Sequence, residues 1–221
     1  MALIFGLWAW NSSPINLKDR LFPKHLATVE SSWLYRSGQI SPALIEPTLR
    51  ELGIDLILDL SHDRGERDAS QLAEKEAARR LGIESVRVPL RGSGTGDLGA
   101  YARAVATLVR ARQDGHRVLV HCRAGDRRTG GVLAAYQLLT RQDAGHLARR
   151  ELDRFARRSA NESGLTDFLD ESLPSIAARL AEQGIETRPL ESLPRLRDLR
   201  PQDSSAPWST IRQLLGLMDR S

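Results

Sequence analysis

Cysteine is almost absent from the 221-residue chain, which contains one, Cys122. A single thiol excludes an intrachain disulfide and agrees with a reducing compartment, so we expect a cytoplasmic protein. Aromatic residues make up only 5% of the chain, and they are not interleaved with basic residues as in many nucleic-acid-binding proteins. The net charge of +4 therefore indicates an anionic substrate or a solvated surface, and no nucleic-acid partner is expected.

The chain also lacks an apolar run that could span a bilayer. Its apolar opening segment, residues 1–10, is about half the required length of roughly 20 residues. The segment has no positively charged flank, so it does not resemble a signal peptide. We expect it to pack on the domain, with a peripheral membrane contact as the less favoured alternative.

From residue 40 onward, strand-like apolar runs alternate with amphipathic helical patterns. The runs that we predict as strands are 54–60, 86–88 and 118–120. Alternation of this kind is typical of a mostly parallel sheet covered by helices on both faces. The sequence therefore predicts a single α/β domain with a central, mostly parallel sheet flanked by helices, followed by an extended C-terminal tail.

Two helices have recognisable ends. Ser41 and Pro42 favour a helix start and Gly53 its end, although Pro47 is expected to kink that helix. Asp68, with Gln71 three residues later, resembles a capping box at the start of a helix that Gly82 ends.

The chain divides into three parts by composition. Residues 1–26 form an apolar and then polar N-terminal segment, residues 27–183 the α/β domain, and residues 184–221 a proline-containing linker with a short tail helix. The linker prediction depends on its prolines and its weak periodicity.

One stretch carries most of the chemical information. Residues 121–130 read His-Cys-Arg-Ala-Gly-Asp-Arg-Arg-Thr-Gly and stand between a β-branched run and an apolar helical pattern. A strand-to-helix turn directs backbone N–H groups and the positive end of the helix dipole at one point, which makes an anion cradle. A thiol placed there is held as the thiolate. Arg128, six residues after Cys122, can bind two oxygens of one phosphate.

This H-C-x5-R-[S/T]-G pattern is similar to the signature of cysteine-dependent protein tyrosine and dual-specificity phosphatases. The resemblance covers roughly residues 27–183 and implies that neither a metal nor another cofactor is needed. A rhodanese-like sulfurtransferase is an alternative, because residues 122–127 fit its C-R-x-G-x-R loop, but Arg128 stands where its hydroxyl residue should follow. An inactive phosphate-binding module and a structural cysteine are further alternatives, against which the complete set of Cys122, Arg128 and Thr129 argues.

The resemblance implies roles for the residues of this stretch. Cys122 would be the nucleophile, Arg128 the clamp on the phosphate oxygens, Thr129 the hydrogen-bond donor to the departing sulfur, and His121 the residue that orients the loop. The substrate would be bound by the backbone of the intervening residues, which are Arg123, Ala124, Gly125, Asp126 and Arg127. The expected partner is a phosphorylated protein, carrying phosphotyrosine, phosphoserine or phosphothreonine, or a small phosphate ester.

The general acid is expected at Asp97. Phosphatases of this type carry the acid on a loop in this position, and Asp97 is the only acidic residue between Glu84 and Asp114. Asp97 also stands at the predicted start of a helix, so a role limited to helix capping is the alternative. Asp114 is a poorer candidate because Asp114-Gly115 reads as a turn.

Two further positions bear on the site. Arg36 lies in a Tyr-Arg-Ser string that resembles the first strand of bacterial dual-specificity-like phosphatases. It is expected either to support the active-site loop or to be an ordinary surface arginine. Asp126 stands where phosphoinositide-type loops commonly carry a lysine or arginine, which implies a preference for singly phosphorylated substrates.

Overall fold

Five short strands form one sheet in the computed structural model, which describes residues 19, 21–142, 144–154 and 162–199. They are β1 (Ala27–Glu30), β2 (Leu34–Ser37), β3 (Leu56–Asp59), β4 (Glu84–Arg87) and β5 (Val118–His121). Their order across the sheet is β1-β2-β5-β3-β4. Only the β1–β2 pairing of this sheet is antiparallel. The predicted mostly parallel sheet is confirmed.

Helices cover both faces of the sheet. The α-helices of the described residues are α1 (Ile45–Leu52), α2 (Ala69–Leu81), α3 (Leu98–Gln113), α4 (Arg127–Thr140), α5 (Ala144–Asp153) and α6 (Glu162–Ala181). Successive strand residues point to opposite faces: Ile57 and Leu119 join the apolar cluster beneath α1 and α2. Leu58 and Val120 join the larger cluster that includes α3, α4 and α6. Strands β3 and β5 are buried on both faces, so these two strands read as nearly continuous apolar runs.

The predicted helix ends are largely confirmed. The Asp68 carboxylate accepts hydrogen bonds from the N–H groups of Ser70 and Gln71 at the start of α2. Gly53 and Gly82 follow α1 and α2 in the left-handed conformation, with φ of 61° and 68°, where a residue without Cβ is favoured.

Pro47 lies closer to a helix start than the sequence suggested. The N–H groups of Leu44 and Ile45 bond the carbonyl of Ser41 in a preceding turn, and α1 begins only at Ile45. Pro47 is therefore in the first turn, where no intrahelical partner for its missing N–H exists. Pro47 therefore breaks no hydrogen bond of α1, and the cause of the expected kink is absent.

Residues 184–199 contact the domain more closely than an extended linker does. Ile185 and Leu196 belong to the main apolar cluster. The Asp170 carboxylate of α6 accepts hydrogen bonds from the N–H groups of Leu196 and Arg197. The opening apolar segment and the tail helix lie outside the described residues. Within the described part of the chain, no helix has both the length and the apolar character needed to cross a bilayer.

Candidate active site

The anion cradle, residues 122–128, lies where β5 ends and α4 begins. The parallel strands β3, β4 and β5 end at the same edge of the sheet, which is where ligand sites of open α/β sheets form. Cys122 is 1% exposed at the base of the cradle, and the Gly125 N–H donates to its Sγ at 3.2 Å. The expected strand-to-helix turn is thus present, with backbone N–H directed at the sulfur.

The surroundings of Cys122 favour the thiolate. Burial opposes ionisation, but the nearby Thr129 hydroxyl, the charge of Arg128 and the N–H groups of Asp126 and Gly125 together lower the pKa of the Cys122 thiol below its ordinary value of 9.0. A thiolate is the nucleophilic form of cysteine. The structure therefore places a thiol of lowered pKa inside a turn whose backbone N–H is directed at the sulfur.

Arg128 is held from the neighbouring strand. Its guanidinium donates to the Leu60 carbonyl at 3.3 Å, and the Leu60 N–H bonds the His121 carbonyl at 2.8 Å. Arg128 is in the first turn of α4 and partly buried. Because a planar guanidinium with one anchored N–H still presents others, Arg128 can bind two phosphate oxygens.

The cradle is supported from behind by a buried ion pair. Arg36 of β2 is fully buried and donates to the Gly125 carbonyl at 2.8 Å. The same guanidinium donates to the Glu151 carboxylate at 2.6 Å and to the Glu151 carbonyl at 2.8 Å. Arg36 therefore supports the active-site loop, and the alternative of an ordinary surface arginine is excluded.

Two glycines make this support possible. Gly125 has φ of 71°, and a Cβ there would lie 2.4 Å from the Gly38 nitrogen. A Cβ at Gly38 would lie 2.9 Å from the Ala124 carbonyl. The cradle and the residue after β2 are thus in backbone contact, which larger residues would prevent.

His121 is part of a buried charge network. Its Nε2 lies 3.1 Å from Glu74 Oε2 of α2, and its Nδ1 lies 3.9 Å from Asp59 Oδ1 of β3. Asp59 also accepts from Arg87 and from the Ser61 N–H. Burial disfavours a charged imidazole, but Glu74, then Asp59 and the Cys122 thiolate, outweigh it and raise the pKa of His121 to about 9.

Asp59, Glu74 and His121 have ligand atoms within 4.8 Å of one another, close enough to share a cation. The His121–Glu74 separation, however, is a hydrogen-bond distance. Asp59 already neutralises Arg87 at 2.9 Å. These partners fit a network that keeps His121 charged better than they fit a metal site.

A pH titration of stability should reveal this charge. A group whose pKa is raised on folding stabilises the fold below its unfolded pKa and ceases to do so as pH rises through the folded one. For His121 that window extends from its ordinary 6.5 upward to about 9. In the wild type, the ionisation of Cys122 has the opposite effect: it makes the free energy of unfolding rise with pH, because the pKa of the thiol is lowered on folding.

We therefore expect the free energy of unfolding of Cys122→Ser to fall as the pH rises above 6.5, as measured by urea denaturation at several pH values. The fall should end at a lower pH than in the wild type, because the Cys122 charge that helps to raise the pKa of His121 is gone. Adding Glu74→Gln should flatten that slope, because the principal partner of the imidazolium is then neutral. A flat profile in Cys122→Ser alone would contradict the charged state of His121.

Asp97 occupies the predicted helix start. It is exposed, and its Oδ1 accepts from the Ala100 N–H at 2.8 Å at the beginning of α3. The glycine-rich loop before it approaches the cradle: a Cβ at Gly94 would lie 3.1 Å from the Arg127 carbonyl. The Tyr101 hydroxyl fixes this loop by donating to the Gly94 carbonyl at 2.5 Å. Capping is thus observed, and it does not exclude an acid role.

The rim of the cradle has mixed charge. Arg123 and Ala124 are exposed, whereas Asp126 and Arg127 are partly buried. The Arg123 guanidinium lies 3.8 Å from the Asp68 carboxylate. Asp68 and Asp126 therefore offset part of the positive charge that Arg123 and Arg127 bring to the rim.

Sequence reasoning missed several residues around the cradle. Glu74 and Glu151 are acidic residues buried in helices, and Asp59 ends a fully buried strand. A polar residue on the apolar face of a helix was a usable signal for Glu74, since Ala77 and Ala78 are buried on the same helix. No sequence signal pointed to His25, whose ring Nδ1 lies 2.8 Å from the Ala124 carbonyl.

Comparison with known proteins finds a phosphatase family to which this chain is similar. A family model described as "Polymorphic toxin system, DSP-PTPase phosphatase" matches residues 34–142. Dual specificity protein phosphatase 26 of Bos taurus is 33% identical over 93 residues, which are 41% of this chain and 41% of that protein. The match thus spans about two fifths of that curated relative.

Solved structures of phosphatases share the fold. Tk-PTP in its active form aligns with a TM-score of 0.51 and 16% identity, over 66% of this chain and 96% of that one. PTPMT1 in complex with PI(5)P aligns with a TM-score of 0.52 and 15% identity, over 70% of this chain and 97% of that one. Because the sequence identities are this low, the similarity to these structures shows a shared fold only.

A buried cysteine in a strand-to-helix cradle, followed six residues later by an arginine, defines a domain of the cysteine-dependent phosphatase class. Within that class, residues 34–142 match the dual-specificity phosphatase model, and the chain is similar to the dual-specificity phosphatase-like family. The resemblance seen in residues 121–130 is confirmed, and the rhodanese alternative is not favoured.

Proposed function

We propose that the protein hydrolyses phosphate monoesters through a cysteinyl-phosphate intermediate on Cys122. The observation that carries this proposal is the hydrogen bond from the Gly125 N–H to the Cys122 sulfur, made inside a turn that also holds Arg128. Preorganised donors and cations of this kind stabilise the charge that develops on a phosphoryl group during its transfer. Because the lone thiol must remain reduced, we also propose a reducing, cytoplasmic location.

In the first step, the Cys122 thiolate attacks phosphorus in line with the leaving oxygen. An S–P bond forms as the P–O bond to the substrate breaks, while Arg128 and the cradle N–H groups hold the three equatorial oxygens. Asp97 donates its proton to the leaving oxygen, so the alcohol departs neutral.

In the second step, water attacks the phosphorus of the cysteinyl-phosphate. The Asp97 carboxylate now accepts a proton from that water, the S–P bond breaks, and inorganic phosphate is released. Thr129 donates a hydrogen bond to the departing thiolate, and His121 keeps its positive charge next to the sulfur. The cycle returns Cys122 as thiolate and Asp97 as acid, and it consumes no cofactor.

Rapid acid quenching tests this proposal directly. During turnover of an aryl phosphate, mass spectrometry should find one phosphoryl group on the peptide that contains Cys122. The Asp97→Asn protein should accumulate more of it, because hydrolysis of the intermediate also needs Asp97. Turnover without any phosphorylated Cys122 peptide would overturn the mechanism.

For the substrate, we propose protein phosphotyrosine, phosphothreonine or phosphoserine ahead of polyphosphoinositides. Asp68 and Asp126 reduce the positive potential of the rim, so additional phosphates gain little there. A fold shared with PTPMT1, whose structure holds PI(5)P, makes a singly phosphorylated lipid headgroup the most informative competitor in a substrate panel.

Reversing the charge of Asp126 should shift this preference. Asp126→Lys is expected to raise kcat/KM for a trisphosphorylated inositol lipid about 5-fold, because a repulsive charge at the rim becomes attractive. Activity on a phosphotyrosine peptide should change little. Malachite-green detection of released phosphate compares both substrates under identical salt conditions.

Asp114→Lys is the matched control. Asp114 is exposed and directly follows the C-terminal end of α3, and its substitution gives the same change in net charge. It should leave both activities unchanged. Faster wild-type hydrolysis of the trisphosphorylated lipid than of every phosphopeptide would refute the proposed preference.

A further inference from the structure

Three successive carbonyl groups of the cradle are held from outside. The Arg123 carbonyl accepts from the Gln39 N–H at 3.2 Å. The Ala124 carbonyl is bonded by His25 Nδ1 at 2.8 Å, and the Gly125 carbonyl by Arg36 at 2.8 Å. All three partners come from residues 25–39, at the antiparallel edge of the sheet.

Each of these bonds fixes an N–H group as well as a carbonyl. In a planar trans peptide, the carbonyl of one residue and the N–H of the next point in opposite directions. The Ala124 carbonyl shares its peptide unit with the Gly125 N–H, which is the donor to the Cys122 sulfur. A bond that holds the Ala124 carbonyl outward therefore holds the Gly125 N–H inward, and hydrogen bonds at both ends of one peptide strengthen each other.

His25 is itself placed by an unusual backbone conformation. Its φ is 50°, in the left-handed region that residues with a Cβ adopt only at an energetic cost. The segment is fixed on both sides, because the Lys24 carbonyl accepts from the Gly38 N–H at 2.7 Å and β1 begins at Ala27. Strained residues persist where the surrounding structure determines them, and they are concentrated at functional sites.

The charge state of His25 suits a neutral donor. The pKa of His25 lies below its ordinary 6.5, mainly because burial disfavours the charged ring. The charges of Lys24 and Arg36 also lower it. The bond to the Ala124 carbonyl and the charge of Asp126 raise it, but by less. A neutral imidazole donates from one nitrogen only, and a carbonyl acceptor requires the proton to be on Nδ1.

We propose that His25 is a positioning residue of the phosphatase site: by holding the Ala124 carbonyl, it orients the Gly125 N–H that stabilises the Cys122 thiolate and the phosphate oxygens. This inference rests on the proposed function for its catalytic part. Its structural part concerns the thiolate alone and can be tested without any substrate.

The test compares His25→Gly with His25→Asn. Both residues tolerate a positive φ, but only the asparagine amide can donate from near the Nδ1 position. The readout is the ultraviolet absorbance of the thiolate titrated against pH, with Cys122→Ser as the blank. Since Cys122 is the only cysteine, the signal belongs to it.

We expect His25→Gly to raise the pKa of Cys122 enough to lower the thiolate fraction about 3–10-fold on the acidic side of the titration, the effect of one lost neutral hydrogen bond. His25→Asn should recover most of that loss. The acidic limb of kcat/KM should shift with the thiolate titration in both variants. Ser32→Gly, which removes another positive-φ side chain from the turn between β1 and β2, should change neither.

The outcomes separate the two proposals. A wild-type thiolate titration in folded His25→Gly, or no recovery in His25→Asn, would overturn the role of His25. A shifted titration in His25→Gly, together with a wild-type protein that has no phosphatase activity, would support that role and overturn the proposed function instead. If His25→Gly does not fold, His25→Gln replaces it, because its amide lies at the Nε2 position and misses the Ala124 carbonyl.

Discussion

The Cys122→Ser protein is expected to lose phosphatase turnover by about 10⁴–10⁶-fold, the range seen when a covalent nucleophile is removed. A serine side chain has nearly the same shape and leaves the cradle around it in place. Its hydroxyl stays protonated, however, whereas the pKa of the Cys122 thiol is lowered. Steady-state assays on an aryl phosphate give the loss in kcat.

Binding should survive this substitution, because in the proposed mechanism Arg128 and the cradle N–H groups hold the phosphate oxygens, and neither depends on the sulfur. Inorganic phosphate is therefore expected to raise the melting temperature of Cys122→Ser by mass action. Arg128→Lys provides the contrast: one point charge replaces a planar fork, so this stabilisation by phosphate should shrink. Near wild-type turnover in Cys122→Ser would exclude the cysteine mechanism.

The Asp97→Asn protein should show a loss that depends on the leaving group. An aliphatic phosphoserine-like ester needs a proton on its leaving oxygen, so its hydrolysis should slow by about 10²–10⁴-fold. An activated aryl phosphate departs without such help and should lose much less. The limb of the pH–rate profile that reports the protonated acid should also flatten.

Stability supplies the control for this variant. The asparagine oxygen can still accept from the Ala100 N–H, as Asp97 Oδ1 does at 2.8 Å, and asparagine is as good an N-cap as aspartate. The melting temperature should therefore stay close to that of the wild type. Unchanged rates on both esters would limit Asp97 to capping α3 and assign the acid role elsewhere.

The centre of the sheet could be predicted because its two buried strands carry their own signal, whereas β1 and its antiparallel pairing with β2 were not predicted. Strands β3 and β5 are buried on both faces, and a strand in that position must be apolar throughout. Local chemistry also determined the end of α2, where Gly82 takes a conformation that a side chain disfavours. The start of α1 was harder, since Ser41 and Pro42 have capping chemistry but belong to a turn before the helix. Helix starts in such turns depend on packing beyond the local sequence.

The candidate site could be predicted only in part. Residues 121–130 are contiguous, so their chemistry is visible in one pattern. The residues that support them are remote: Glu151 meets Arg36 across 115 positions, and His25 meets Ala124 across 99. Nothing in a single sequence indicates which buried acid accompanies which base. That pairing is decided when the strands and helices pack.

The cradle is held by Arg36, Glu151 and His25, and not all of these residues lie in the part of the chain that the family model matches. The stretch by which the family is recognised, residues 34–142, contains Cys122 and Arg128 but neither His25 nor Glu151. A fragment cut at those limits would keep Cys122 and Arg128 but lose the Glu151 carboxylate that neutralises the buried Arg36 guanidinium, and a buried charge left without its partner is strongly destabilising. The residues matched by the family model are therefore fewer than those that hold the cradle, and we expect a minimal active fragment to begin before His25 and to extend beyond Glu151.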